Sequence, residues 1–184
     1  VAAVLGALLL AAAAGIAVRA FVQSESSANA LRAMGITEVV AGDISDPELL
    51  AKALKDINKV YHIGPTAHPK EKEMGFAMVD AAAAAGVKHF VFSSVLHAIT
   101  TDLVQHAIKR DIEEHLLSSG LEFTILQPAN YMLPLKLKSV FSDSVFKLSW
   151  SLDRRQSLVD LDDVTDVAME VLANSERHVS ATYE

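Results

Sequence analysis

Short runs of mostly apolar residues alternate along this chain with longer stretches that end in glycine, and the alternation predicts strands separated by helices. The run "IAVRAFV" predicts a strand over Ile16–Val22, followed by a helix around Ser26–Met34 that Gly35 closes. "TEVVAGD" predicts a strand over Thr37–Asp43, and "SDPELLAKALKDIN" a helix with Ser45 or Asp46 as N-cap and Pro47 at its first position. "KVYHIG" is a short strand, Glu71–Ala85 a helix ended by Gly86, and "VKHFVFSS" the next strand. Thr101 or Asp102 caps a helix running to Ser119 and Gly120, and "LEFTILQP" is a strand stopped by Pro128. From Ala129 to about Gln156 the regularity lapses into a mixed, locally basic segment. "SLVDLDDVTDVAMEVLAN" then predicts a short strand, an Asp162 or Asp163 cap and a helix to about Asn174, and "HVSATYE" a last strand. Strands apolar on both faces and separated by helices belong to a parallel sheet covered on both sides. The expectation is an α/β fold with a doubly wound parallel sheet, one domain over 1–184, in which 129–156 forms part of a substrate or interface region.

The opening stretch changes that picture only at its edge. Eighteen residues precede the first charge, Arg19, close to the roughly 20 apolar residues that a membrane-spanning helix needs. Six of them are alanines between Ala2 and Ala13, and Gly15 stands where a helix from Val1 to Ala14 would terminate. No basic residue precedes the run, as a secretory signal would require. It reads as a buried helix followed by a strand, with no membrane association and a cytoplasmic location expected.

Composition narrows the classes of function. Half of the residues are hydrophobic (51%) and 21% are charged, a balance that supports a folded core. The absence of cysteine removes disulfides, thiolate nucleophiles and zinc-thiolate sites. Sixteen basic against 23 acidic residues give a net charge of −7, the wrong sign for broad phosphate neutralisation, so no nucleic-acid partner is expected. The seven histidines show no H-x-x-x-H pairing, so no metal site is expected. No G-x-S-x-G elbow occurs, which argues against an esterase. Asp160, Asp162, Asp163 and Asp166 read as capping and first-turn charges.

Candidate chemistry gathers at the carboxyl ends of the predicted strands, where a doubly wound sheet binds its ligand. Gln23, Ser24 and Glu25 follow the first strand and Gly42, Asp43 and Ile44 the second. Ile63, Gly64 and Pro65 follow the third, Ser93 and Ser94 the fourth, and Gln127, Pro128, Ala129, Asn130 and Tyr131 the fifth. Each has a bland reading as a turn; together they favour a dinucleotide crevice.

"VVAGDISDPELLAKAL", "YHIGP", "DAAAAAGVKHFVFSSVLH", "HAIKRDIEEHLLSSGLEFTILQPANYM" and "VDLDDVTDVAMEVL", in this order, resemble the NmrA-like branch of the atypical short-chain dehydrogenase/reductases. The resemblance covers roughly Ile16–Glu184 and implies an NAD(P)-binding Rossmann fold, an enzyme in some members and a redox-sensing regulator in others. It implies that Asp43 accepts from the adenine amino group while Ile44 packs on the ring, and that Ile63, Gly64 and Pro65 line the adenosine ribose. It places Ser93 and Ser94 near the nicotinamide ribose, Lys109 as a donor to ribose hydroxyls, and Pro128, Ala129, Asn130 and Tyr131 around the nicotinamide.

Two departures from the family pattern matter. The first strand and its G-x-x-G-x-x-G turn, which hold the pyrophosphate on backbone N–H groups, would precede the helix at Val1. In the order 3-2-1-4-5-6 that strand is central, so its absence leaves a hole in the sheet. The chain is therefore expected to be a portion of a longer one, with cofactor binding weak or lost if it truly starts at Val1. Gln23 and Ser24 stand where many relatives carry an arginine for the 2′-phosphate of NADP; they bond but do not neutralise it, while Glu25 suits the free ribose hydroxyl of NAD. The cofactor is thus NADP or NAD.

Reductases of this class use Tyr-x-x-x-Lys, but Gln105 stands four residues before Lys109. His106, sharing a helix face with Lys109, is the alternative acid–base group, its ordinary pKa being about 6.5. Both also read as part of a solvated helix face. Three functions follow: a cofactor-sensing regulator with a protein partner, favoured by the missing tyrosine; an NAD(P)H-dependent reductase of a small enone or quinone; or a cofactor-free interaction module.

Overall fold

The structure is a computed structural model that describes residues 11–100, 102–132, 141–142, 144–145, 151 and 153–184. Five helices and eight strands are described over their full lengths, with a short 3-10 turn before the last strand. They are β1 (Arg19–Val22), α1 (Glu25–Ala33), β2 (Glu38–Ala41), α2 (Pro47–Leu54), β3 (Lys59–His62), α3 (Glu71–Ala84), β4 (His89–Ser93), α4 (Val104–Leu117), β5 (Phe123–Leu126), β6 (Asn130–Tyr131), β7 (Leu158–Val159), α5 (Leu161–Ala173) and β8 (Ala181–Tyr183). The predicted strands and helices occur in the predicted order, with one strand added, β6, inside the stretch from Ala129 expected to be irregular, and every strand pairing among the described residues is parallel.

The sheet is divided. β3-β4-β5-β8 form a four-stranded sheet, β1-β2 a separate pair and β6-β7 a third. Among the described residues β1 and β3 do not pair with each other. Arg19 of β1 donates to the carbonyls of Ala53 (3.0 Å) and Lys55 (2.7 Å) at the end of α2.

Both faces of the four-stranded sheet are covered, as apolarity on both faces requires. Phe90, Phe92 and Ile125 pack on one face against Leu50 and Leu54 of α2, Met74 and Met78 of α3, and Ile112 and Leu116 of α4. Val91 and Leu126 pack on the other against Ala168 and Val171 of α5, with Tyr61 alongside. Helices α3 and α4 lie close because Gly75 has no side chain: a Cβ there would stand 2.5 Å from Ile112 Cδ1.

Several boundaries shift for local reasons. Of the predicted Val1–Ala14 helix, residues 11–13 are described and helical, and the rest lies outside the described residues. It ends as predicted at Gly15 (φ 75°), whose N–H meets the Ala12 carbonyl while Ile16 N–H meets that of Ala11. Asp46 is the N-cap of α2, accepting from the N–H groups of Glu48 and Leu49. The other two caps are corrected. Helix α4 starts at Val104 after Leu103, with no side-chain cap, because two successive turns, Thr100 N–H to His97 and Leu103 N–H to Thr100, consume Asp102 first; Thr101 lies outside the described residues. Helix α5 is capped by Asp160, which accepts from Asp162 N–H. The β6-β7 pairing ends at Val159, so Asp160 is the first residue free to cap, and Asp162 and Asp163 become first-turn charges. Among the described residues no helix is long and apolar enough to cross a membrane.

Candidate active site at the strand ends

The parallel strands β3, β4 and β5 point their carboxyl ends the same way, and side chains alternate across them. His62 and Phe92 are paired on one face, Tyr61 and Val91 on the other. The ends therefore carry two polar clusters, one on each face.

The first is ionic and buried. Lys109, midway along α4, turns back over the Phe92 ring, 5.1 Å from its centroid. Its ammonium donates to the carbonyls of Ile63 (3.0 Å) and Ser93 (3.4 Å) and stands 3.0 Å from Glu71 Oε1. Glu71 Oε2 accepts from Ala67 N–H at 2.9 Å. Lys109 is 4% exposed and Glu71 1%, so Lys109 is not on a solvated face and its three N–H groups are committed. Burial pushes its pKa below the ordinary lysine value, against the opposing pull of Glu71. Gly64 (φ 73°) lets the backbone lie over this pair; a Cβ would approach Lys109 Nζ and His62 Nε2 to 3.6 Å. His62 stacks on Phe92 at 5.9 Å and 16°. Burial lowers it to about 3, so it is neutral, and its Nε2 has no hydrogen-bond partner.

The second cluster is made of hydroxyls. Ser93 sends its carbonyl to Lys109 and its side chain to the other face, where it lies close to the Tyr131 phenol. Tyr61 Oη lies beside the same Ser93 hydroxyl, although no well-formed bond closes on it. Burial pushes Tyr61 up to about 12 and Tyr131 above its ordinary value, with Ser93 opposing both. Ser94 Oγ is buried nearby in sequence without a partner. Tyr61 Oη, His62 Nε2 and Ser94 Oγ are thus unsatisfied buried polar atoms at neighbouring strand ends, and such atoms call for a partner.

The remaining candidates disperse. Asp43 is exposed after β2; its Oδ1 accepts from Ser45 N–H (2.8 Å) and Oγ (2.7 Å), which hold its pKa below the usual carboxylate value. Ile44 is 7% exposed and packs in the core with Leu50 and Leu54. Ser24 caps α1 through Ser27 N–H, and Gln23 is exposed beside it. Gly42 adopts φ 155°, a backbone conformation that residues with a side chain rarely take. Ile63, Gly64, Pro65, Pro128 and Ala129 are half-buried at the strand ends, and Asn130 is exposed, donating to Gln156 Oε1 at 2.8 Å. His106 and Lys109 diverge: His106 Nδ1 meets the His97 carbonyl at 3.0 Å, and nothing joins it to Lys109. Sequence reasoning missed Tyr61, His62 and Glu71. None of the three left a distinct signal: Glu71 opens its helix beside two other charged residues, Lys72 and Glu73. Among the described residues no group of His, Asp and Glu could hold a metal. Two cavities, about 330 Å³ beside Gly86 and Gly120 and about 260 Å³ beside Gly15 and Gly35, lie at helix-to-strand turns away from these clusters.

A nicotinamide dinucleotide fits part of this surface. The unsatisfied hydroxyls and the bare Gly64 backbone suit a ribose and a carboxamide. No residue described here supplies a run of N–H groups for the pyrophosphate.

Comparisons with known proteins agree. The model of the NmrA-like family matches residues 2–183. The chain is 30% identical over 157 residues to the NAD(P)H azoreductase of Xenophilus azovorans, covering 84% of this chain and 54% of that protein. It is 31% identical over 112 residues to quinone oxidoreductase 2 of Escherichia coli, covering 61% of this chain and 39% of that protein. The chain thus spans about half or less of the length of these relatives. Among solved structures, the triphenylmethane reductase of Citrobacter sp. superposes with a TM-score of 0.83 at 23% identity, over 97% of this chain and 64% of that one. An NADPH-dependent quinone oxidoreductase of E. coli solved with NADPH gives 0.75 at 27% identity, over 89% of this chain and 58% of that one.

Proposed function

The chain belongs to the NmrA-like family, and from that premise we propose that it serves an NAD(P)H-dependent reductase of flat conjugated acceptors of the quinone or azo class. The observation that carries this reading is the 30% identity over 157 residues to an NAD(P)H azoreductase. A quinone oxidoreductase among the relatives supports it further. Of the three functions weighed from sequence, the reductase has this support; the cofactor-sensing regulator has none of its own.

When bound, the reduced nicotinamide supplies a hydride. The chain's residues hold and orient it. The outer carboxylate oxygen of Asp43 is the acceptor for the adenine amino group, and Ile63, Gly64 and Pro65 border the adenosine ribose. Ser93 and Ser94 serve the nicotinamide ribose, and Pro128, Ala129, Asn130 and Tyr131 flank the ring. Gln23 and Ser24 face the 2′ position. Lys109 acts from behind: with its N–H groups committed to Ile63, Ser93 and Glu71, it fixes the strand ends on which these groups sit. His106 stands apart from them.

A thermal-shift titration with NADPH and NADH, followed by oxidation of the bound form with a water-soluble quinone, tests the reading. A ligand present at 100 times its Kd adds about 2.7 kcal/mol of stability, so a clear rise in Tm is expected, and quinone should then oxidise the nicotinamide. An unmoved Tm with both cofactors, in a chain folded by circular dichroism, would move the protein to the cofactor-free interaction module.

A further inference from the structure

The loops at the carboxyl ends of the strands divide by polarity. After β1, β2 and β3 they expose polar side chains such as Gln23, Ser24, Asp43, Ser45, Thr66 and Lys70. No large hydrophobic side chain is exposed among the described residues of those three loops. The loop from β4 to α4 is different. Ile99 is 81% exposed, Val104 73% and Leu103 53%.

An exposed aliphatic residue on its own is ordinary, but the loop that carries these is pinned. Leu96 N–H donates to the Pro128 carbonyl (3.1 Å), Thr100 N–H to the His97 carbonyl (2.9 Å), and His106 Nδ1 to the same His97 oxygen (3.0 Å). Ala98 between them is fully buried and anchors the turn. The bond to Pro128 also fixes where the aliphatic groups stand. Pro128 opens the segment assigned above to the flank of the nicotinamide, and at the far end of that segment Met132 is 49% exposed. The crevice thus has a polar side suited to the charged parts of a dinucleotide and an apolar side beside the reacting end. Exposed apolar surface held in place next to a polar site marks a binding surface.

We propose that Ile99, Leu103 and Val104 form the wall against which the acceptor lies, and that the acceptor they select is an uncharged fused-ring quinone, an inference that rests on the reductase reading. Ring faces pressed on aliphatic side chains leave water at no polar cost. A charged or heavily hydroxylated acceptor would lose hydration there without gaining a hydrogen bond.

Binding can be read without cofactor, and the chain has no cysteine thiol for a quinone to alkylate. With isoleucine labelled at the δ1 methyl, titration with 1,4-naphthoquinone should move the Ile99 resonance saturably. Ile16, 49% exposed but ahead of the amino end of β1, should stay in place. Equal movement of both, or a stationary Ile99, overturns the proposal. So does a shift of Ile99 on dilution of the chain alone, which would make the wall a contact between copies. In the NADPH-loaded chain, Ile99→Ser combined with Val104→Ser should raise the KM for naphthoquinone about tenfold. The rise in Tm given by NADPH should match that of the parent, since neither residue faces the cofactor. An unchanged KM overturns the proposal. Failure of the reductase reading looks different: naphthoquinone would then move Ile99 yet leave bound NADPH unoxidised, and the acceptor role would fall with that reading.

Discussion

The two faces of the β3 and β4 ends are adjacent in sequence and opposite in chemistry. On one, Lys109 and Glu71 are almost wholly buried and each has a backbone partner as well as the other's charge. On the other, Tyr61, Ser93 and Tyr131 carry no charge and share too few hydrogen bonds to satisfy one another. A buried charge left unpaired is costly enough that the Lys109–Glu71 pair must be in place before any ligand arrives, although the neutral His62 on the same face keeps an Nε2 without a partner. Hydroxyls tolerate incompleteness at lower cost. The ionic face is therefore built to hold a shape, and the hydroxyl face to accept a partner.

The sharpest way to break this contrast is to remove one charge. Lys109→Ala strands the Glu71 carboxylate and should lower stability by about 3–5 kcal/mol, read as a drop in the urea midpoint. The neutral pair Lys109→Met with Glu71→Gln should recover much of that loss, since burying two uncharged side chains avoids the desolvation of both ions. A double variant no more stable than the single one would show that packing, not charge, holds the site.

A second test uses acid. His62 is held at about 3, against 6.5 for the ordinary imidazole. Between those values the unfolded chain binds more protons than the folded one, so stability rises with pH and is lost as the pH falls from about 6.5 toward 3. His62→Phe keeps a ring against Phe92 and should flatten that part of the stability–pH curve, measured by urea unfolding at intervals of pH. An unchanged slope would mean that His62 is hydrated in solution.

The smallest effect belongs to the hydroxyl face. Tyr61→Phe deletes a buried phenol oxygen without a well-formed hydrogen bond, so the change should lie between zero and about 1 kcal/mol of added stability. A loss of comparable size would reveal a bond to Ser93 stronger than the geometry indicates.

Much of the fold was legible in the amino-acid order, because the signals that mark it are local. Gly15, Gly35, Gly86 and Gly120 adopt positive φ at the predicted ends of helices or their exits, and Pro47 after Asp46 opens α2 where such a pair should. Boundaries slipped where a non-local contact intervened, as when the β6-β7 pairing moved the α5 cap to Asp160.

The candidate site was legible only in outline. The sequence by itself determined which residues follow each strand, and hence that Ser93, Ser94, Gly64 and Tyr131 gather at one end of a parallel sheet. It also determined that position 105 lacks the tyrosine of the usual pair. Tertiary structure alone decided that Lys109 faces inward to Glu71, 38 positions earlier, that His62 is neutral between Phe90 and Phe92, and that Tyr61 and Tyr131 meet at one serine. The reason is physical. Caps and turns are settled by neighbours along the chain, whereas burial and the pairing of charges depend on which faces of separate strands and helices come into contact, and that is set only when the layers pack.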